Sequence, residues 1–211
     1  MIESPPTAVF DFDGTLTRRD TLMPFLRFIA GPRLFLTRLV GSTRALAGYA
    51  TGLTPNHIAK EFILTKFLAG MPIGELSAMA EQFATERLPG LIDPGMDKVL
   101  SWHLRRGHRC ILASASLGVY LHPWAISRGF EGMVSTALEV DTQGLITGRI
   151  LGRNVFGPEK VERLQLLLGA QDLNLDFAYG DSRGDIEMLA KAKNPCYRGH
   201  FTGGTPPGWM A

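Results

Sequence analysis

Cysteine is scarce in this sequence, long apolar runs are missing, and neither charge dominates. The only two cysteines, Cys110 and Cys196, stand far apart and suit no zinc-ligand spacing. Cys110 sits in the apolar run Cys110-Ile111-Leu112-Ala113, which reads as a buried structural thiol. No stretch of about 18 residues is both apolar and free of charge, which argues against a membrane span. The opening MIESPP carries an acid and two prolines before any apolar run, so the expectation is no signal peptide and a cytoplasmic protein. A formal net charge of +2 makes no case for a nucleic-acid partner. His57, His103, His108, His122 and His200 are scattered without ligand spacing. Repeats and low-complexity tracts are absent. What remains is ordinary for a globular enzyme: 211 residues, 45% hydrophobic, enough for one substantial domain with an inserted subdomain.

The chain alternates between strand-like and helix-like segments. Residues 7–10 (TAVF) are short, apolar and β-branched, and they stop at an acidic turn with a glycine, as a buried strand does. From about Thr21 to Leu88 the pattern is helical, in roughly four segments separated at Gly31-Pro32, Thr54-Pro55 and Gly70 to Pro72, and closed by Pro89-Gly90. Asp93-Pro94 opens another helix ending at Gly107, and Arg109–Ala113 reads as a second strand closed by Ser114. A helix follows near Gly118–Arg128. Residues 134–140 and 145–151 flank Asp141-Thr142-Gln143-Gly144 as a β-hairpin. Gly157-Pro158 starts a helix to Gly169, Asp176–Tyr179 is a third core strand, and a helix follows Gly184. This alternation implies an α/β fold with a doubly wound, mostly parallel sheet. The core is expected in residues 1–17 and 93–200, an inserted helical cap in 18–92, and a loose Gly/Pro-rich tail in 201–211.

Carboxylates collect at the predicted strand ends, the edge where open α/β sheets bind ligands. Asp11 and Asp13 follow the first strand, and residues two apart in an extended segment point the same way. Gly14 then lets the chain turn. The Ser114 hydroxyl and neighbouring amides suit a phosphate oxygen, and Lys160 at a helix start suits its charge. Asp181 and Asp185, in GDSRGD, are hard oxygen ligands four residues apart, although Asp185 equally suits a helix cap. Each element alone is a common structural feature; their order and strand-end context make the chemical reading.

In these residues the sequence resembles the haloacid dehalogenase superfamily. DFDGTLT at Asp11–Thr17, LAS at Leu112–Ser114, Lys160 in GPEKVERL and GDSRGDIEML at Gly180–Leu189 correspond to its four motifs, spanning nearly the whole chain. The resemblance implies a phosphatase with Asp11 as nucleophile and magnesium ligand. Asp13 would be general acid and base, with its backbone carbonyl on the metal. Ser114 and Lys160 would hold the phosphoryl group, and Asp181 would ligate Mg2+ with Asp185 beside it. The superfamily's dehalogenases lack an acid at the position of Asp13.

The helical insert resembles the branch that holds phosphoserine phosphatases, histidinol-phosphate phosphatases and a phosphatidylglycerophosphate phosphatase. Asp20-Thr21, GRILGRNVFGPEK and AYGDSRGD look closest to the last. Phosphoserine phosphatases typically have Ser at the position of Gly14 and Gly at that of Ala115. No acid occurs between Asp20 and Glu61, whereas Arg27, Arg33, Arg38, Arg44 and Lys60 interleave with Phe25, Phe28, Leu34, Phe35, Leu39 and Leu46. Such a segment suits peripheral contact with an anionic membrane on its inner face and a lipid phosphate substrate. It equally suits a small cap with its own core and a solvated cationic face, serving a soluble phosphate ester. A phosphotransferase, or a phosphate-binding protein on a decayed enzyme fold, are the further alternatives.

Overall fold

Strand β1 (Thr7–Phe10) lies at the centre of the sheet because its side chains are apolar on both faces. In the computed structural model, which describes residues 5–40 and 55–201, six strands run in the order β3-β2-β1-β6-β7-β8. They are β2 (Arg109–Leu117), β3 (Gly132–Thr136), β6 (Leu175–Gly180), β7 (Ala192–Tyr197) and β8 (His200–Phe201) around β1. All neighbours are parallel except β7 and β8. The chain winds outward from β1 through β2 and β3, then returns to β1's other side with β6. The switch point between β1 and β6 is therefore where a ligand crevice belongs.

Alternate residues of the strands face two separate apolar cores. Val9, Ile111, Ala113 and Ala178 pack with Leu164, Met188 and Leu189 from α6 (Pro158–Leu168) and α7 (Ile186–Leu189). Ala8, Phe10, Leu112 and Tyr179 face the other way, towards Val99 and Leu100 of α4 (Pro94–Arg105) and Leu121 and Trp124 of α5 (Gly118–Ser127). That second core continues without a break into the helical insert, where Phe25, Leu26, Leu64, Phe67, Leu76 and Phe83 are buried. The insert contains α1 (Leu22–Val40), interrupted at Gly31, then α2 (Asn56–Leu68) and α3 (Ile73–Glu86). Its two connections to the sheet run side by side as an antiparallel neck: Arg18 N–H donates to Leu91 O at 3.1 Å and Asp93 N–H to Leu16 O at 2.9 Å.

The short hairpin of β4 (Leu138–Val140) and β5 (Ile146–Ile150) docks on the cap. Ile146 exchanges backbone bonds of 2.9 Å with Gly70 and Met71, and Ile150 N–H donates to Glu61 at 2.8 Å. Gly148 (φ +88°) makes this fit, since a Cβ there would lie 2.4 Å from the Thr65 Cα.

Four details differ from the sequence reading. The hairpin is shorter than 134–140 and 145–151, because residues up to Thr136 form the outer strand β3. Strand β2 does not end at Ser114 but runs on to Leu117, with a register shift that sets Ser114–Leu117 against Ser135 and Thr136. A bulge of this kind re-aims side chains at a sheet edge. The strand β7, rich in polar residues, had no clear strand signature. Phe201 pairs with Cys196 in β8 and so is no part of a loose tail; residues 202–211 lie outside the described residues.

The cap's apolar side chains divide between its core and its surface, where Leu36, Ile58 and Phe62 are exposed. Phe25 is buried, Phe28 and Phe35 pack against the core, and Arg38 donates to the Phe67 carbonyl at 3.1 Å. Leu34 stays exposed, while Arg44 and Leu46 lie outside the described residues. No described helix is long and apolar enough to cross a membrane.

Candidate active site

Asp11 leaves the end of β1 at the switch point, where its N–H donates to Tyr179 O of β6 at 2.9 Å. Phe12–Leu16 then make one wide turn, closed by Thr17 N–H to Phe12 O at 2.9 Å. Gly14 sits in it at φ +80°, and a Cβ there would lie 2.3 Å from Asp181 Oδ2. Glycine suits this turn because an L side chain is strained at that φ, and its bare Cα leaves room for the Asp181 carboxylate.

Pro158 and the positive-φ Gly157 start α6 so that Lys160 points inward from its first turn, only 2% exposed. Its Nζ lies 2.6 Å from Asp11 Oδ1 and also pairs with Asp185 Oδ1. The second Asp185 oxygen accepts from the N–H groups of Asp181 (3.2 Å) and Ser182 (3.0 Å) and from the Ser182 hydroxyl (2.8 Å). Asp185 and Ser182 form a reciprocal capping box at Arg183–Asp185. Asp185 thus caps its turn, one of the two roles the sequence left open, and in addition pairs with Lys160, which the sequence did not suggest. Oxygens of Asp11, Asp181 and Asp185 lie within 4.8 Å of one another.

Two buried carboxylates, Asp11 and Asp185, thus meet one ammonium in a place water hardly reaches, with Asp181 half-buried beside them. Burial pushes Asp11 up to about 7, against the pull of Lys160 and with a further push from Asp185. Asp181 is raised by burial and then by Asp185. Burial alone would lower the Lys160 ammonium, but Asp11 and Asp185 hold it above its ordinary value. An excess of hard oxygen donors over cations is the donor set of a small divalent ion, with no soft ligand in the group. The cluster fits magnesium on that chemistry.

Asp13 turns to the cap side. Its Oδ1 accepts from the Thr21 N–H (2.9 Å) and hydroxyl (2.6 Å), and its Oδ2 accepts from the Ser116 hydroxyl. Burial raises it to about 6, with repulsion from Asp20 adding to the shift. A carboxyl whose pKa is raised towards neutrality is what a group that both gives and takes a proton needs. Ser114 is buried at the β2 bulge and its hydroxyl accepts the Ser116 N–H at 3.0 Å.

Residues 8–190 match the haloacid dehalogenase-like hydrolases. The chain belongs to that family. This hydrolase is 34% identical to Protein CicA of Caulobacter vibrioides over 200 residues, 94% of this chain and 88% of that one. It is 28% identical to a phosphoserine phosphatase of Mycobacterium tuberculosis over 90% of this chain, spanning 63% of that protein. A crystal structure of a Bordetella pertussis protein of unknown function superposes with TM-score 0.73 at 27% identity, covering 89% of this hydrolase and 87% of that chain. The family, together with the acidic cluster, supports phosphatase activity.

The structure brings Asp11, Lys160, Asp181 and Asp185 into one cluster and sets Asp13 and Ser114 beside it. Sequence reasoning missed three contributors. Ser116 had a faint signal, since it lies two residues beyond Ser114 on the same strand. Tyr120, expected to be a packing residue, is buried but also bonds Thr21 Oγ1 at 3.0 Å. Lys60, counted with the cap's cationic face, instead reaches the catalytic core: its ammonium donates to the Ala115 carbonyl and to Asn154 Oδ1 at 3.0 Å. Burial lowers it to about 8, although Asp13 and Asp20 pull it back up. His103 is the other surprise, fully buried between His108 Nδ1 and the Tyr179 hydroxyl, both at 2.8 Å. Burial keeps it neutral, and it belongs to the core rather than to a metal group.

Proposed function

We propose that this hydrolase is a magnesium-dependent phosphomonoesterase acting on a small soluble metabolite, through an aspartyl-phosphate on Asp11. The observation that carries the reading is the buried Asp11–Lys160–Asp185 arrangement beside Asp181, with a second carboxyl, Asp13, held at a raised pKa next to it. Asp11 and Asp181, with the Asp13 backbone carbonyl, would hold the ion, and Asp185 would stand beside them. Bound there, magnesium offsets the repulsion between an attacking carboxylate and a phosphate dianion.

The chain's own groups account for the rest. Ser114 and Lys160 hold phosphoryl oxygens. The Asp11 carboxylate forms a bond to phosphorus while the bond to the ester oxygen breaks, and Asp13 gives its proton to that leaving oxygen. Asp13, now ionised, takes a proton from water as the water oxygen attacks the phosphorus of the acyl phosphate. Phosphate leaves and Asp11 is restored. Splitting hydrolysis into two displacements makes each easier.

A soluble substrate is favoured over a lipid one for two reasons. Most of the cap's phenylalanines, among them Phe25, Phe28, Phe35, Phe67 and Phe83, pack into a core continuous with the sheet, although Leu34, Leu36, Ile58 and Phe62 stay exposed. Relatives include enzymes named for phosphoserine and histidinol phosphate. Lys60 and Asp20 add a preference: they interact with each other near Asp13, on the leaving-group side. An ammonium has three donors and Lys60 uses two within the protein. That cation, with an acid nearby, suits an alcohol carrying a carboxylate, as in phosphoserine, ahead of one carrying only an amine.

The test is a panel of O-phosphoserine, histidinol phosphate, sugar phosphates and phosphatidylglycerophosphate in detergent, with acid-quench trapping of phosphoprotein. Asp11→Asn is expected to abolish trapping and to cut turnover by about a millionfold, the scale for a lost nucleophile. Appreciable turnover by a clean Asp11→Asn preparation overturns the mechanism. Selective turnover of the lipid phosphate overturns the substrate class.

A further inference from the structure

Both oxygens of Asp13 are engaged, by Thr21 and Ser116, and a third residue, Tyr120, stands behind them. Thr21, the residue before cap helix α1, gives its N–H and its hydroxyl to the same oxygen, Oδ1. Ser116, on the β2 bulge, gives its hydroxyl to Oδ2. The hydroxyl of Tyr120 from α5 lies 3.0 Å from Thr21 Oγ1. A threonine hydroxyl has one hydrogen, and Thr21 directs it at the carboxylate 2.6 Å away, so in the Tyr120–Thr21 pair the tyrosine is the donor, and the same Tyr120 hydroxyl also meets that of Ser116. Thr21 and Tyr120 are completely buried and Ser116 is 4% exposed, so the three hydroxyls are shielded from water while the Asp13 carboxyl itself stays half-buried.

The two Asp13 oxygens are therefore not equivalent. Oδ1 is anchored by two donors that have nowhere else to turn. Oδ2 faces a single hydroxyl, and a hydroxyl can donate to an ionised carboxylate and accept from a protonated one by rotating about its C–O bond. We propose that Thr21, Ser116 and Tyr120 are positioning residues for the general acid: Thr21, backed by Tyr120, anchors Oδ1, and Ser116 aims Oδ2 as the oxygen that delivers the proton. This rests on the reading of Asp13 as the acid of a phosphatase. In the first displacement the proton leaves Oδ2 for the ester oxygen as the P–O bond breaks, and Ser116 turns to donate. In the second, Oδ2 takes the proton back from water. The arrangement also ties the acid to the cap, because Thr21 is the residue through which α1 joins the core.

The test is kcat/KM across a series of aryl phosphates, from 4-nitrophenyl to phenyl to 4-methoxyphenyl, for wild type and for Thr21→Val, Thr21→Ser, Ser116→Ala and Tyr120→Phe. This ratio reports the step in which the leaving oxygen is protonated. Thr21→Val and Ser116→Ala are expected to lose on the order of 10- to 100-fold on phenyl phosphate, part of the usual general-acid contribution. The loss on 4-nitrophenyl phosphate should be only a few-fold, because that oxygen needs little protonation, so the dependence on leaving group steepens. Tyr120→Phe should steepen it less, and Thr21→Ser should keep the wild-type slope. Parallel losses across the series, or an unchanged slope in Thr21→Val and Ser116→Ala, overturn the proposal and leave these groups a purely structural role. A wild type that hydrolyses none of the series defeats the phosphatase reading itself, and the proposal with it.

Discussion

Replacing Lys160 by methionine removes the only cation bonded to Asp11 and Asp185 among the described residues. The side chain is 2% exposed, Asp185 is fully buried and Asp11 is 5% exposed, so water cannot step in. Leaving the partners of a buried ion pair uncompensated costs about 3–5 kcal/mol. For a domain of this size each kcal/mol moves Tm by about 2–4 °C, so Lys160→Met should melt about 6–20 °C below wild type in chelator near pH 8. The pH dependence adds a second check. Asp11 rises from 3.8 in the unfolded chain to about 7 in the fold, so across that window the folded protein holds a proton that the unfolded chain has released. Stability therefore falls as pH rises through it. Without the lowering influence of Lys160, Asp11 moves higher still, and the variant loses more stability than wild type over the same range. The gap in Tm should be widest near pH 8 and should narrow at about pH 5.5, where Asp11 is neutral in both proteins. Thermal unfolding followed by circular dichroism at the two pH values measures this. A gap under about 2 °C near pH 8, or the same gap at both, refutes the reasoning.

Magnesium should raise the wild-type Tm by mass action, and chelator should abolish turnover, with calcium a poor substitute because it relaxes the geometry. Asp181→Ala should weaken the magnesium response more than Asp185→Ala, whereas Asp185→Ala should lower Tm more, since its carboxylate holds Lys160 and the 181–182 loop. Isothermal titration with Mg2+ and melting curves separate the two effects, and the reverse ranking would exchange the roles. Gly14→Ala should cost activity by at least tenfold, the scale of a misplaced catalytic group, because its Cβ collides with Asp181 Oδ2 at φ +80°. Wild-type kinetics in that variant would show that the loop after β1 can move away from β6 freely.

How much of this was legible in advance can be read element by element. Asp11 and Asp13 were visible because a four-residue apolar strand stopped at an acid–Gly turn. Asp181 and Asp185 were visible because GDSRGD follows another such strand, and Lys160 because Pro158 announces a helix start. Each of these signals is complete within a few residues, and the alternation of strands and helices placed them on one sheet edge. The cap was legible as a long helical insertion between the first strand and the next. The further end of β2 was not, since a bulge leaves no mark in a run of small residues, and β7 was hidden by its polar composition and a proline.

The sequence by itself determined the α/β core, the inserted cap, the order of the catalytic carboxylates and the family. The first two follow from local pattern and chain order; the family, and the roles it implies for the carboxylates, follow from the resemblance of four short motifs. Only the tertiary structure decided which groups surround Asp13 and where Lys60 points. Ser116 stands 103 residues from Asp13, and Tyr120 stands 99 from Thr21. Lys60 reaches Asn154 across 94 residues. No window of sequence contains those pairs. They meet because the cap's apolar core continues into that of the sheet and holds α1 and α2 against the end of β2. Burial then turns ordinary hydroxyls into directed donors, since little water remains to take their bonds, and packing of α2 aims the half-buried Lys60 at Ala115 and Asn154.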